Sequence, residues 1–176
     1  KEKLGTLDLQ TNLKFHNYDT NKFENFITND FDWASNDIFF KSGLKTQILG
    51  KIKNINYETK NVDIYKKDPT SEVYGALGFL TEVYLEKEKN GVKSSLVPKF
   101  LARYSPGSMR KESTGSRLNS INSFSLNRLE NNYNFETGLT GTFGFDYKLE
   151  STDKKLDLSV AQVVNQKENK KMHSKT

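Results

Sequence analysis

The sequence predicts an all-β chain whose antiparallel, up-and-down strands form part of a transmembrane β-barrel of the outer-membrane kind. Three observations carry that expectation. Apolar and polar residues alternate with a period of two through much of the chain. The alternating runs approach the roughly 9–11 residues that a tilted strand needs to cross a bilayer. Clusters of Asn, Asp, Gly and Ser punctuate them as turns. The clearest run is 135–149. Phe135, Leu139, Phe143, Phe145, Tyr147 and Leu149 fall on one side, and Glu136, Thr140, Thr142, Asp146 and Lys148 on the other, because successive side chains of a strand point to opposite faces.

From the N-terminus, Leu7, Leu9, Thr11, Leu13 and Phe15 alternate with Asp8, Gln10, Asn12, Lys14 and His16, and residues 17–21 turn the chain. A second run, 23–33, opposes Ile27, Asn29, Phe31 and Trp33 to Thr28, Asp30 and Asp32, and Ser35, Asn36 and Asp37 reverse it. A third, 40–53, sets Phe40, Leu44, Ile48 and Ile52 against a face holding Lys41, Lys45, Lys51 and Lys53, a pattern that Leu49 interrupts. Residues 54–72, rich in Asn and Lys, read as an extended polar loop. Strand four covers about 73–87, and Asn90-Gly91 is a strong hairpin signal. A fifth strand opposes Leu96, Pro98, Phe100, Ala102 and Tyr104 to Lys99, Leu101 and Arg103. Pro98 removes a ladder donor there, which implies a bulge or a local edge. Ser105, Pro106 and Gly107 end it. Then come a polar loop at 106–117, a weaker strand at 118–126, a turn at 128–134, the run at 135–149, a last strand at 156–164 and a Lys-rich loop at 166–176. The expectation is about eight strands, all in one barrel domain spanning 1–176, with no helix. Lys1-Glu2-Lys3 reads as the middle of a longer polypeptide.

Composition narrows the function classes. With 34% hydrophobic residues, a mean hydropathy of -0.75 and no run near the roughly 18 apolar residues of a spanning helix, a helical membrane protein is excluded. A barrel with a wet lumen and a soluble β-sandwich are both compatible with so polar a chain. The net charge of +5 comes from 27 basic and 22 acidic residues interspersed, without the basic stripe of a nucleic-acid interface. No Cys is present, so thiolate metal sites and disulfides are absent.

No catalytic, cofactor or metal site is expected. His16 and His173 are the only histidines, and a nucleophile–base pair would need one of them beside an ordinary Ser or Thr. Asp30 and Asp32 share a strand face and offer two carboxylates to a hard cation; residues facing a wet lumen are the simpler reading. Gly138, Gly141 and Gly144 lack the spacing of a phosphate loop. The lysine face of Lys41, Lys45, Lys51 and Lys53 has two readings. It is an ordinary solvated face, or it is a lumen patch that attracts phosphate groups.

Residues 96–110, 117–119, 122–129, 136–147 and 158–169 together resemble, in order and spacing, the barrel domain of the LPS-assembly protein LptD family, best in its alphaproteobacterial forms. The resemblance covers about 94–170; residues 1–93 share only the strand rhythm. It implies a segment of an outer-membrane barrel of a Gram-negative bacterium, in contact with outer-membrane lipid. That barrel takes lipopolysaccharide from a periplasmic Lpt bridge, works with the plug lipoprotein LptE, and inserts the lipid in the outer leaflet without enzymatic chemistry. Pro98, Arg103, Tyr104, Ser105, Pro106, Arg117, Asn127 and Arg128 match family positions, and the resemblance implies architectural roles: prolines at a bulge and a turn, arginines pairing with lumen carboxylates. No lateral-gate residues carry over. The alternatives are another outer-membrane barrel, porin or receptor, and a soluble β-sandwich binding module.

Overall fold

The computed structural model describes residues 4–112 and 118–172. Nine strands form one antiparallel sheet: β1 (Thr6–Tyr18), β2 (Lys22–Ala34), β3 (Ile38–Phe39), β4 (Leu44–Lys60), β5 (Thr70–Val83), β6 (Leu85–Lys89), β7 (Val92–Ser105), β8 (Gly138–Glu150) and β9 (Lys155–Asn165). The order across the sheet is β1-β2-β4-β5-β7-β8-β9, with β3 pairing β4 and β6 pairing β7. Chain order and sheet order therefore coincide, the topology expected when each strand turns straight back on its neighbour. Asn90 and Gly91 both take positive φ (54° and 74°), the geometry of the tight hairpin turn that the pair signals.

Four expectations are corrected. First, residues 54–60 are strand, so the polar loop shrinks to 61–69. Ile55, Tyr57 and Thr59 continue the buried side of β4. The asparagines that suggested a loop sit on the other side, where Asn29 Nδ2 donates to Asn54 Oδ1 (3.4 Å) and Asn54 Nδ2 to Ser71 Oγ (3.2 Å). Second, strand four breaks at Tyr84 into β5 and β6. Pro98 lies at that break, between the last β5 pair, Glu82↔Lys99, and the first β6 pair, Leu85↔Leu96. The local edge expected of a residue without an N–H is found there. Third, 118–126 is not a strand. Asn119 Oδ1 accepts the Ile121 and Asn122 amides (2.9 and 2.8 Å) and Asn122–Phe124 is one 3-10 turn. Short polar side chains outcompete the ladder by satisfying nearby amides themselves. Fourth, β8 begins at Gly138, so Phe135 and Glu136 precede it.

The two faces of the sheet differ sharply. One carries Leu7, Leu9, Leu13 and Phe15 of β1, Leu77 and Phe79 of β5, Leu139 and Phe143 of β8, and Leu158, Val160 and Val164 of β9, all exposed. The other is roofed in part by the connection between β7 and β8. Beneath it lie two small apolar clusters: Phe26, Ile55 and Tyr57 with Tyr65, Tyr74 and Tyr133 against them, and Ala76, Leu126 and Phe135 with Leu49 and Tyr74. Phe135, expected on the outward face, is fully buried here. Thr140 and Thr142, expected to face water, lie under the same roof. Leu49 breaks the lysine pattern because it packs on this core.

The strands are also strongly staggered. One row of register partners runs Leu7↔Trp33↔Gly50↔Leu77↔Tyr104↔Leu139. It enters at the start of β1 and reaches β7, which runs the same way, only at that strand's end. Such accumulated stagger is what strands tilted for barrel closure have. β1 and β9 are the two edges of this sheet.

Candidate functional site

The polar face is built around the β7–β8 connection, which side chains from five strands hold down. Arg103 of β7, 1% exposed, points under it. Its Nε donates to the Leu126 carbonyl (2.5 Å) and its Nη2 to the Glu136 carbonyl. Arg128 and Glu136, both buried, form a bidentate pair, with Nε to Oε2 at 2.8 Å and Nη2 to Oε1. The Glu136 amide donates to Asn127 Oδ1 (3.1 Å). At the next anchor Lys53 Nζ donates to Asp30 Oδ2 (2.7 Å) and to the Asn132 carbonyl (3.1 Å). Further along, Arg110 pairs with Glu72 and donates to the Tyr133 carbonyl (2.8 Å). Its guanidinium lies 5.2 Å from the Tyr57 ring centroid and 5.0 Å from that of Tyr65. Burial pushes the Tyr65 phenol, in the loop between β4 and β5, up to about 12. Thr142 Oγ1 donates to the Ser123 carbonyl (3.0 Å).

Two glycines make room for the connection. A Cβ on Gly78 would stand 2.5 Å from Leu126 Cδ2, and one on Gly144 would meet the Val160 carbonyl oxygen and stand 3.0 Å from Phe124 Cζ. The leucine tip can swing away, whereas the Val160 carbonyl belongs to the β8–β9 ladder. Gly144→Ala is therefore expected to cost about 1–3 kcal/mol, the usual range for overpacking, and Gly78→Ala less. Urea unfolding of the folded protein would measure both. Equal stability of Gly144→Ala and wild type would contradict this packing.

The matched residues come together only in part. Arg103, Ser105, Asn127 and Arg128 lie in or beside the buried network. Tyr104 points outward, in register with Leu77 and Leu139. Pro98 is at the β5/β6 break, Pro106 follows the end of β7, and Arg117 lies outside the described residues.

The lysines do not form one patch. Lys41 is exposed in the turn before β4, off any strand. Lys45 pairs with Glu82 and Asp37 (3.7 Å to the latter), Lys51 with Asp32 (2.5 Å) and Asp30 (3.5 Å), and Lys53 is buried on Asp30. Three of the four are thus matched by carboxylates of neighbouring strands. Glu72, Arg110 and Asn134, which complete the network with Glu136, read in the sequence as loop or turn residues, and Glu136 as one polar position of an alternating run.

His16 stacks on Tyr18, with centroids 4.0 Å apart, and His173 lies outside the described residues. Among the described residues no three His, Cys, Asp or Glu side chains are placed to share a metal ion. The arrangement fixes a long connection against one face of a sheet and leaves the other face bare. No protein-family model matches the chain, and no curated protein is significantly similar to it.

Proposed function

We propose that this chain is a section of an outer-membrane β-barrel wall, with its apolar face toward lipid and the β7–β8 connection folded into the lumen. The observation that carries the proposal is the pairing of a bare apolar face with a polar, internally anchored one across a staggered meander. In water the exposed Leu and Phe side chains would form a far larger apolar surface than a soluble monomer tolerates, whereas a barrel needs them on its lipid side. A sandwich would need a second sheet against that face at about 10 Å, and every strand among the described residues belongs to the first sheet.

Within that class we favour a barrel that delivers lipopolysaccharide to the outer leaflet, with LptE as plug and a periplasmic bridge as donor. The resemblance over 94–170 supports this reading. Three of its matched residues, Arg103, Asn127 and Arg128, gather at one anchoring point around Glu136, as a shared architecture would require.

Two measurements test the reading at its two levels. Spin labels at positions 139 and 143 of the intact protein in bilayers are expected to report lipid, and labels at 155 and 157, exposed on the opposite face, water. Water at all four positions would sink the membrane reading. Depleting the protein from its cells is expected to stop new lipopolysaccharide from reaching the surface. Normal arrival, with the spin-label pattern intact, would leave a barrel of another function.

A further inference from the structure

The outward face is not a uniform apolar wall. A groove of about 570 Å³ crosses it, within the range of about 300–1,000 Å³ typical of ligand sites. It follows the row Leu7↔Trp33↔Gly50↔Leu77↔Tyr104. The groove exists because Gly50, and Gly75 in the adjoining row, bring no side chain between Trp33, Ile52 and Leu77. Trp33 and Leu77 stand as its walls.

Its lining has almost nothing to offer a polar ligand. The indole Nε1 of Trp33 is already committed to the Leu4 carbonyl (2.8 Å). Lys51 lends the groove its backbone, but turns its ammonium to the opposite face, onto Asp32. A peptide seated here would bring N–H and C=O groups that find no partners, at a cost that a hydrocarbon chain does not carry. The row spans five strands, roughly 19 Å at the usual strand spacing, and climbs from the beginning of β1 to the end of β7. A single extended chain running obliquely through a bilayer leaflet has that shape. With no cation in the lining, nothing there selects a phosphorylated sugar.

We propose that the groove seats one acyl chain of a bilayer glycerophospholipid. The proposal rests on the membrane reading above and adds to it a fixed lipid on the outer surface of the wall.

The glycines provide the test. A Cβ at Gly75 would meet only the Lys51 carbonyl oxygen, at 3.7 Å, so a larger side chain enters open space. Gly75→Leu fills the groove. Gly141→Leu makes the same change on the same face outside it, where a Cβ would meet Phe100 and Phe143 at 3.7 and 3.8 Å. Trp33 is the only tryptophan of these 176 residues. The full polypeptide, with any tryptophan elsewhere changed to phenylalanine, is folded into phosphatidylcholine vesicles containing a small fraction of phosphatidylcholine brominated on one acyl chain.

Wild type and Gly141→Leu are expected to show saturable quenching of Trp33 at low bromolipid content, and Gly75→Leu to lose it. Equal quenching in all three would mean only passing annular lipid and would overturn the groove, leaving the membrane reading intact. No quenching in any, with labels at 139 and 143 still reporting lipid, would mean that protein covers Trp33, and would also overturn it. Water at those labels would remove the membrane reading itself.

Discussion

Glu136→Ala is expected to destabilise the folded protein by about 3–5 kcal/mol, the range for removing one partner of a buried ion pair. Glu136 is the carboxylate that pairs with Arg128, and its own carbonyl also receives Arg103. Its removal leaves the Arg128 guanidinium buried without its counter-charge, and Arg103 beside it. The β7–β8 connection should then lift from the sheet, and trypsin should cleave at Arg128 in the folded, micelle-bound protein. Arg128→Met should cost a similar amount. The double variant Glu136→Ala/Arg128→Met should cost clearly less than the two together, because it removes the charge along with its partner. Additive losses, or a Glu136→Ala protein as stable and trypsin-resistant as wild type, would show that the pair does not hold the connection.

That network also marks the limit of what could be read from the sequence. β1, β2, β8 and β9 were legible because each keeps a run of alternation between turn residues, although Phe26 in β2 and Gln162 and Val163 in β9 depart from it. Their outward positions, Leu7, Leu9, Leu13, Leu139 and Phe143, are where period two puts them. The second half of β4 was not, because Asn54 and Asn56 read as loop unless one knows that Asn29 and Ser71 stand beside them. Phe135 was assigned to β8 from parity alone. Parity says nothing of where a strand starts, and Phe135 leaves the sheet to fill the core that Leu126 roofs.

The site was legible in half. Arg103 and Arg128 stood out as matched positions, and pairing with lumen carboxylates was expected of both; Arg128 has such a partner in Glu136, whereas Arg103 donates to the Leu126 and Glu136 backbone carbonyls instead. Glu136, which binds both, looked like one more wet residue of an alternating run. The lysine face failed for a related reason. Same-face lysines on one strand look like a positive patch until Asp30, Asp32 and Glu82 arrive from the neighbouring strands.

The two faces of β1 offer the sharpest contrast between a lipid and an aqueous setting. Leu13, near the middle of β1 and 63% exposed, points outward. Gln10 points to the polar face, in register with Asp30. In a barrel wall, Leu13→Arg places a charge in hydrocarbon and is expected to cost about 2–4 kcal/mol near the midplane, lowering the amount of folded protein in the outer membrane. Gln10→Arg adds the same charge where water and carboxylates receive it, and should leave that level unchanged. In a soluble protein the order would reverse or vanish, since an exposed Leu exchanged for Arg on an aqueous surface is neutral or improves solubility. The measurement is the folded, membrane-fraction yield of the intact protein for each variant. Equal yields would place the apolar face of this sheet in water and remove the ground on which the barrel reading stands.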